Sequence, residues 1–161
     1  METNWSASWA WGLPLIALTI SIHAMGVVTM ALVLVQIAVR LKHQSLRLRR
    51  AILIVIGVVG AVGLLLAALH GMEAAIWAAA YLWLGAIDSP LDAMLYSVDS
   101  ITTRGASGLT LHRHWRMMGA LEAADGMLVF GISTAYIFAV IQVCWPVLSG
   151  IIARVGYPVQ R

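Results

Sequence analysis

Three long apolar runs, Leu13 to Val39, Ala51 to Ile87 and Met117 to Val147, take up most of the chain and leave it few folds to choose from. As a helix, the first would reach about 40 Å, more than the roughly 30 Å of bilayer hydrocarbon. Of the 161 residues 61% are hydrophobic and only 11% charged, with a mean hydropathy of +0.91. A soluble domain of this size has too little polar side chain to cover so much apolar surface. In lipid, peptide groups must satisfy their own hydrogen bonds, so each run is expected as a helix and the chain as an all-α integral membrane protein with three transmembrane helices.

The charges fit that reading. Between the first two runs, "RLKHQSLRLRR" holds Arg40, Lys42, Arg47, Arg49 and Arg50 and no acid, and the tail adds Arg154 and Arg161. Arg104, Arg113 and Arg116 fall between the second and third runs. The positive-inside rule then puts the first loop and the C-terminus in the cytoplasm and the N-terminus outside, in a multi-pass protein of the inner (plasma) membrane. The net charge of +3 is arranged around hydrophobic runs rather than along a basic face, so no nucleic-acid partner is expected. The start, "METNWSASWAWGLP", lacks a basic flank, which argues against a cleaved signal. Trp5, Trp9 and Trp11 are expected at headgroup level. Cys144 is the single cysteine, so no intrachain disulfide can form.

The second run is long enough to be cut in two, and only His70, Gly71 and Glu73 offer a break. Cutting there would move the tail outside, against the charges, so one long helix, straight or kinked at the glycine, is expected. His70 and Glu73 share a face one turn apart, continued by Trp77 and Tyr81, and a hydrogen-bonded pair is expected there. His23, alone in the first span, reads as a packing histidine. His112 and His114 read as exposed loop residues.

After the second run, "DSPLDAMLYSVDSITT" opens with Ser89 and Pro90, a cap followed by proline in the first helical position. The stretch Leu91 to Ile101 is too short to cross a bilayer, so a half-buried re-entrant helix is expected between the last two spans. The glycine-bounded "TTRGASG" follows it. Non-helical backbone at membrane depth survives only where protein covers it or water reaches it. One such unit cannot surround its own loop, and a ring of identical subunits can.

These residues carry a resemblance. "SVDSITTRGASG" resembles the pore helix and selectivity filter of the potassium-channel superfamily, a threonine pair followed by Val or Ile, Gly, an aromatic, Gly and Asp. Thr102, Thr103 and Gly105 match it, and Asp99 falls where some members carry an acid behind the filter. "RMMGALEAADGMLVFGISTAYIFAVIQ" resembles the inner helix of small bacterial members, with Gly126 or Gly131 at a gating hinge. The resemblance covers Ser89 to Gln142 well and the outer helix from Ala51 more loosely. It implies a pore domain over residues 51–150, a first helix and basic loop over 1–50 and a cytoplasmic tail over 151–161. It also implies a homo-oligomer, by analogy a tetramer, passing small inorganic ions passively, with no enzymatic activity and no cofactor beyond those ions.

The chain departs from the pattern at four filter positions: Arg104 replaces the aliphatic residue, Ala106 the aromatic, Ser107 the second glycine and Gly108 the terminal acid. Weak or altered cation selectivity is therefore expected. Two roles stand open for Arg104. It pairs with Asp99, Glu122 or Asp125 behind the filter, or it forms a ring that favours anions. A non-conducting scaffold closed by the arginine is a further alternative. Gly119, Glu122, Gly126 and Ser133 form a small, polar stripe that either lines a wet cavity or permits close packing. The rival class is a membrane anchor using His23 and His70 as haem ligands, and it leaves "TTRGASG" unexplained.

Overall fold

The computed structural model describes residues 5–42, 48–105 and 108–154. Among these residues the regular structure is entirely helical: α1 (Trp5–Lys42), α2 (Leu48–Trp83), α3 (Pro90–Ile101) and α4 (Arg116–Arg154), with a 3-10 turn at Arg113–Trp115 before α4. Helices α1, α2 and α4 contain segments long and apolar enough to cross a membrane. Their outward side chains are large and apolar, with Leu64, Trp83 and Phe138 at 75%, 72% and 62% exposure. Lipid covers such a surface at no cost, and water does not. Helix α2 runs unbroken through Gly71, so the second apolar run is one helix rather than two.

That run ends earlier than its composition implies. Helix α2 stops at Trp83, because Gly85 takes a left-handed conformation with φ +60°. The Ala86 amide donates to the Tyr81 carbonyl at 2.8 Å and the Gly85 amide to the Leu82 carbonyl at 3.1 Å. This is the Schellman pattern, which satisfies the last carbonyls of a helix and turns the chain away. Leu84, Ala86 and Ile87, which hydropathy alone adds to the helix, pack around the turn instead.

Helix α3 starts as its sequence predicts. Ser89 is the N-cap, its hydroxyl accepting from the Asp92 amide at 3.3 Å, and Pro90 follows it. Its 12 residues give a length of only about 18 Å, too short to cross a bilayer. Beyond the loop, the His112 amide donates to the Ala86 carbonyl at 2.9 Å, so the two ends of the α3 excursion are tied together.

The chain forms two compact units whose boundaries cut across the long helices. The first comprises residues 1–25 and 67–132, with a core of Trp77, Tyr81, Ala93, Tyr96, Leu111, Trp115, Met118 and Leu121. The second comprises residues 26–66 and 133–161, where Leu34, Val62, Leu66, Tyr136, Val140 and Cys144 pack together. Its core residues recur at helical spacing and are almost wholly apolar. The buried acids lie in the first unit.

Candidate functional site

Every fourth residue of one α2 face in the first unit, from Glu73 through Trp77 to Tyr81, is completely buried, and each meets polar partners from other helices. Four residues advance a helix by about 6 Å, so the contacts form three successive rungs. On the first, Glu73 Oε1 lies 2.8 Å from His23 Nδ1 of α1, and Glu73 Oε2 lies 3.3 Å from His70 Nδ1. On the second, Trp77 Nε1 donates to Asp125 Oδ2 at 3.0 Å, and the Thr19 hydroxyl donates to the same oxygen at 2.6 Å. On the third, the Tyr81 hydroxyl donates to Glu122 Oε2 at 2.6 Å, while Glu122 Oε1 meets the Ser97 hydroxyl of α3.

The Ser97 hydroxyl also lies 2.7 Å from the Ala74 carbonyl. It has one proton for two acceptors, so both contacts are satisfied only if the Glu122 carboxyl contributes a proton of its own. A carboxylic acid tied on both oxygens joins α2, α3 and α4 at one point. Left without its partners, such a buried polar group would cost about 1–3 kcal/mol.

At the far end of α3 the chain closes a second Schellman cap. The Arg104 amide donates to the Asp99 carbonyl at 3.0 Å and the Thr103 amide to the Ser100 carbonyl at 2.9 Å. Thr103 occupies the left-handed position, φ +56°, that glycine usually fills. The Arg104 guanidinium then returns to the Asp99 carboxylate, so one residue holds both ends of Arg104. Asp99 is 1% exposed and the arginine side chain 63%, which puts the anion inside and the cation at the rim of the unit. Gly105 and Gly108 both have positive φ, +82° and +83°, so the loop needs its glycines. Ala106 and Ser107, the remaining expected filter positions, lie outside the described residues.

Of the three acids considered as partners for Arg104, Asp99 forms the ion pair. Glu122 and Asp125 accept hydrogen bonds from Tyr81, Trp77 and Thr19. The small-residue stripe on α4 divides by position. At Gly119 a side chain would collide with the Tyr96 hydroxyl, and at Gly126 with the Ile101 backbone, so both glycines let α3 approach α4 closely. Gly131 has nothing within 4 Å. Tyr96 belongs to α3, outside the three long helices, and its burial raises the phenol above its ordinary pKa and keeps it protonated.

His23 is, as expected, a satisfied packing histidine, buried and matched by Glu73, and it also has a neighbour that the sequence did not suggest. Its ring and that of His70 lie 5.1 Å apart, and His70 stacks on Phe130 at 4.3 Å. The rings meet each other directly beside Glu73, leaving no interval for a macrocycle between them. The available signal was a lone histidine in one apolar run together with a His–Glu pair at i, i+3 in the next.

The fold and this site define a class: a helical chain with three helices long and apolar enough to cross a membrane, a short, doubly capped helix inserted before the last of them, and a ladder of buried acids. Compared with protein-family models, curated proteins and solved structures, the chain matches none of them.

Proposed function

We propose that the chain is a subunit of a homo-oligomeric pore-loop ion channel, a tetramer by analogy with the potassium-channel superfamily, which passes small inorganic ions with weak cation preference. The observation that carries this reading is the seating of α3. A helix too short to span, flanked by two helices long enough to do so, is anchored to α2 and α4 through Ser97, buries Asp99 and Ser100, and ends in a glycine-bearing loop whose described residues are exposed. Within a bilayer such a loop needs cover from protein or access to water, and a shared axis between copies supplies both. The C-terminal end of α3 carries the negative pole of its helix dipole, which favours a cation nearby. The Asp99 carboxylate offsets much of the Arg104 charge at the same place.

An assembly of copies also accounts for the apolar stripe of Leu91, Leu95 and Val98, exposed at 77%, 43% and 37% along α3. In the assembled protein a neighbouring subunit would cover it. The charge pattern orients the protein with the N-terminus outside and the basic first loop and tail in the cytoplasm of a bacterial-type inner membrane. Gating would bend α4 at Gly131, where nothing crowds the backbone, rather than at Gly126, which is packed against Ile101.

A second reading follows from the exposure of Arg104. If its guanidinium turns from Asp99 into the lumen, a ring of arginines repels cations and passes anions. Reversal potentials of reconstituted protein in asymmetric salt separate the two. A cation-favouring potential supports the first reading and an anion-favouring one the second. Liposomes that leak neither ion at any voltage or pH would instead identify a non-conducting scaffold and refute both.

A further inference from the structure

We propose that His23, His70 and Glu73 bind a divalent metal ion of the zinc class. Two imidazoles and a carboxylate are a donor set suited to zinc and its neighbours, and the three donor atoms lie within 4.8 Å of one another. Ligands 2.0–2.2 Å from a tetrahedral ion stand about 3.4 Å apart, so the widest pair closes by up to about 1.4 Å when the ion binds. The donors come from two helices, α1 and α2, which the ion would pin together.

Ordinary hydrogen bonding accounts for only half of the carboxylate. Glu73 is fully buried, and its Oε1 is matched by His23. Its Oε2 makes no hydrogen bond, although it is just as buried and faces the His70 ring at 3.3 Å. A buried carboxylate oxygen without a hydrogen bond is costly, and a cation between it and the imidazoles would remove that cost.

Charge balance favours a divalent ion. Asp125, on the next rung, also has an oxygen, Oδ1, buried without a hydrogen bond. Two carboxylates and two neutral imidazoles neutralise a dication, whereas two anions alone in this interior would repel each other. The stacked Phe130 ring, 4.3 Å away, restrains the plane of His70. His70 keeps 13% side-chain exposure, which leaves the site a way in.

The test is titration of the purified full-length protein in detergent with cobalt(II) alone, followed by zinc(II) alone as competitor. One equivalent of cobalt per chain, with visible d–d absorption that zinc abolishes, is the expected result. Losing even an outer-shell partner of a metal ligand weakens affinity about tenfold or more. His23→Gln, His70→Gln and Glu73→Gln should each therefore weaken cobalt binding by at least that factor. His43→Ala/His112→Ala/His114→Ala, which leaves the buried cluster untouched and removes the other histidines, should bind as the wild type does. Absence of a one-equivalent site in the wild type, or loss of binding in the triple variant, overturns the proposal. Because the triple variant keeps His23, His70 and Glu73, the second outcome stays readable even if the core variants fail to fold.

Discussion

Arg104 is held by Asp99 at both ends: its amide donates to the Asp99 carbonyl at 3.0 Å, and its guanidinium pairs with the Asp99 carboxylate. The first bond closes the C-terminus of α3, and the second settles where the only cation in that turn points. Backbone capping and charge placement are thus the work of a single residue pair, with the acid buried and the base at the rim.

If the loop borders a pore, removing either partner changes the charge that an ion meets. Asp99→Asn releases the guanidinium without changing shape and should move the reversal potential toward anions in asymmetric salt. Arg104→Val should move it toward cations. The double variant removes one charge of each sign and should fall between the two, near the wild type. Equal potentials for all three would place the pair away from the ion path.

The Glu122 rung predicts an ordering of stabilities. Tyr81→Phe removes the hydroxyl that donates to Glu122 Oε2 and leaves that oxygen buried without a donor, a loss of about 1–3 kcal/mol. Glu122→Gln keeps the shape and supplies a donor for the Ser97 contact, so it should cost less than Glu122→Ala, which abandons both partners. Thermal unfolding in detergent ranks the three, and a Gln variant as unstable as the Ala variant would contradict the hydrogen-bond count.

Two glycines of α4 should respond oppositely to the same methyl group. Gly126→Ala drives a Cβ into the Ile101 backbone, which cannot step aside as a flexible side chain would, and overpacking of this kind costs about 1–3 kcal/mol. Gly131→Ala meets nothing within 4 Å and should leave stability unchanged or slightly raised, because alanine is the better helix former by roughly 1 kcal/mol. If bending at Gly131 gates the pore, that variant should also lower open probability in single-channel recordings without lowering the midpoint of unfolding.

Thr103 stands in the left-handed region at φ +56°, where a β-branched residue is strained. That conformation costs about 1–2 kcal/mol, whereas a glycine's extra freedom in the unfolded chain costs about 0.4–1 kcal/mol. The first is at least as large as the second, so Thr103→Gly should stabilise the protein slightly, by up to about 1.6 kcal/mol. A lowered unfolding midpoint would mean that the threonine side chain makes a contact that outweighs its strain.

The sequence by itself determined the helices. Apolar runs longer than a bilayer is thick have no other way to satisfy their peptide groups, and Ser89 followed by Pro90 marks the start of α3 because its side chain and ring act on the adjacent backbone. It also made Glu122, Asp125 and the His70–Glu73 pair conspicuous, since charge inside an apolar run is costly wherever the chain goes. Only the tertiary structure decided who meets whom. That Glu73 turns to His23, Asp125 to Thr19 and Trp77, and Glu122 to Tyr81 and Ser97 depends on how α1, α3 and α4 rotate against α2. Those rotations are set by packing such as the close approach of Ile101 to Gly126, contacts between residues far apart in the chain. The stop at Gly85 was equally hidden: hydropathy is blind to a left-handed glycine, and Leu84, Ala86 and Ile87 are apolar because they pack around the turn, not because they extend the helix.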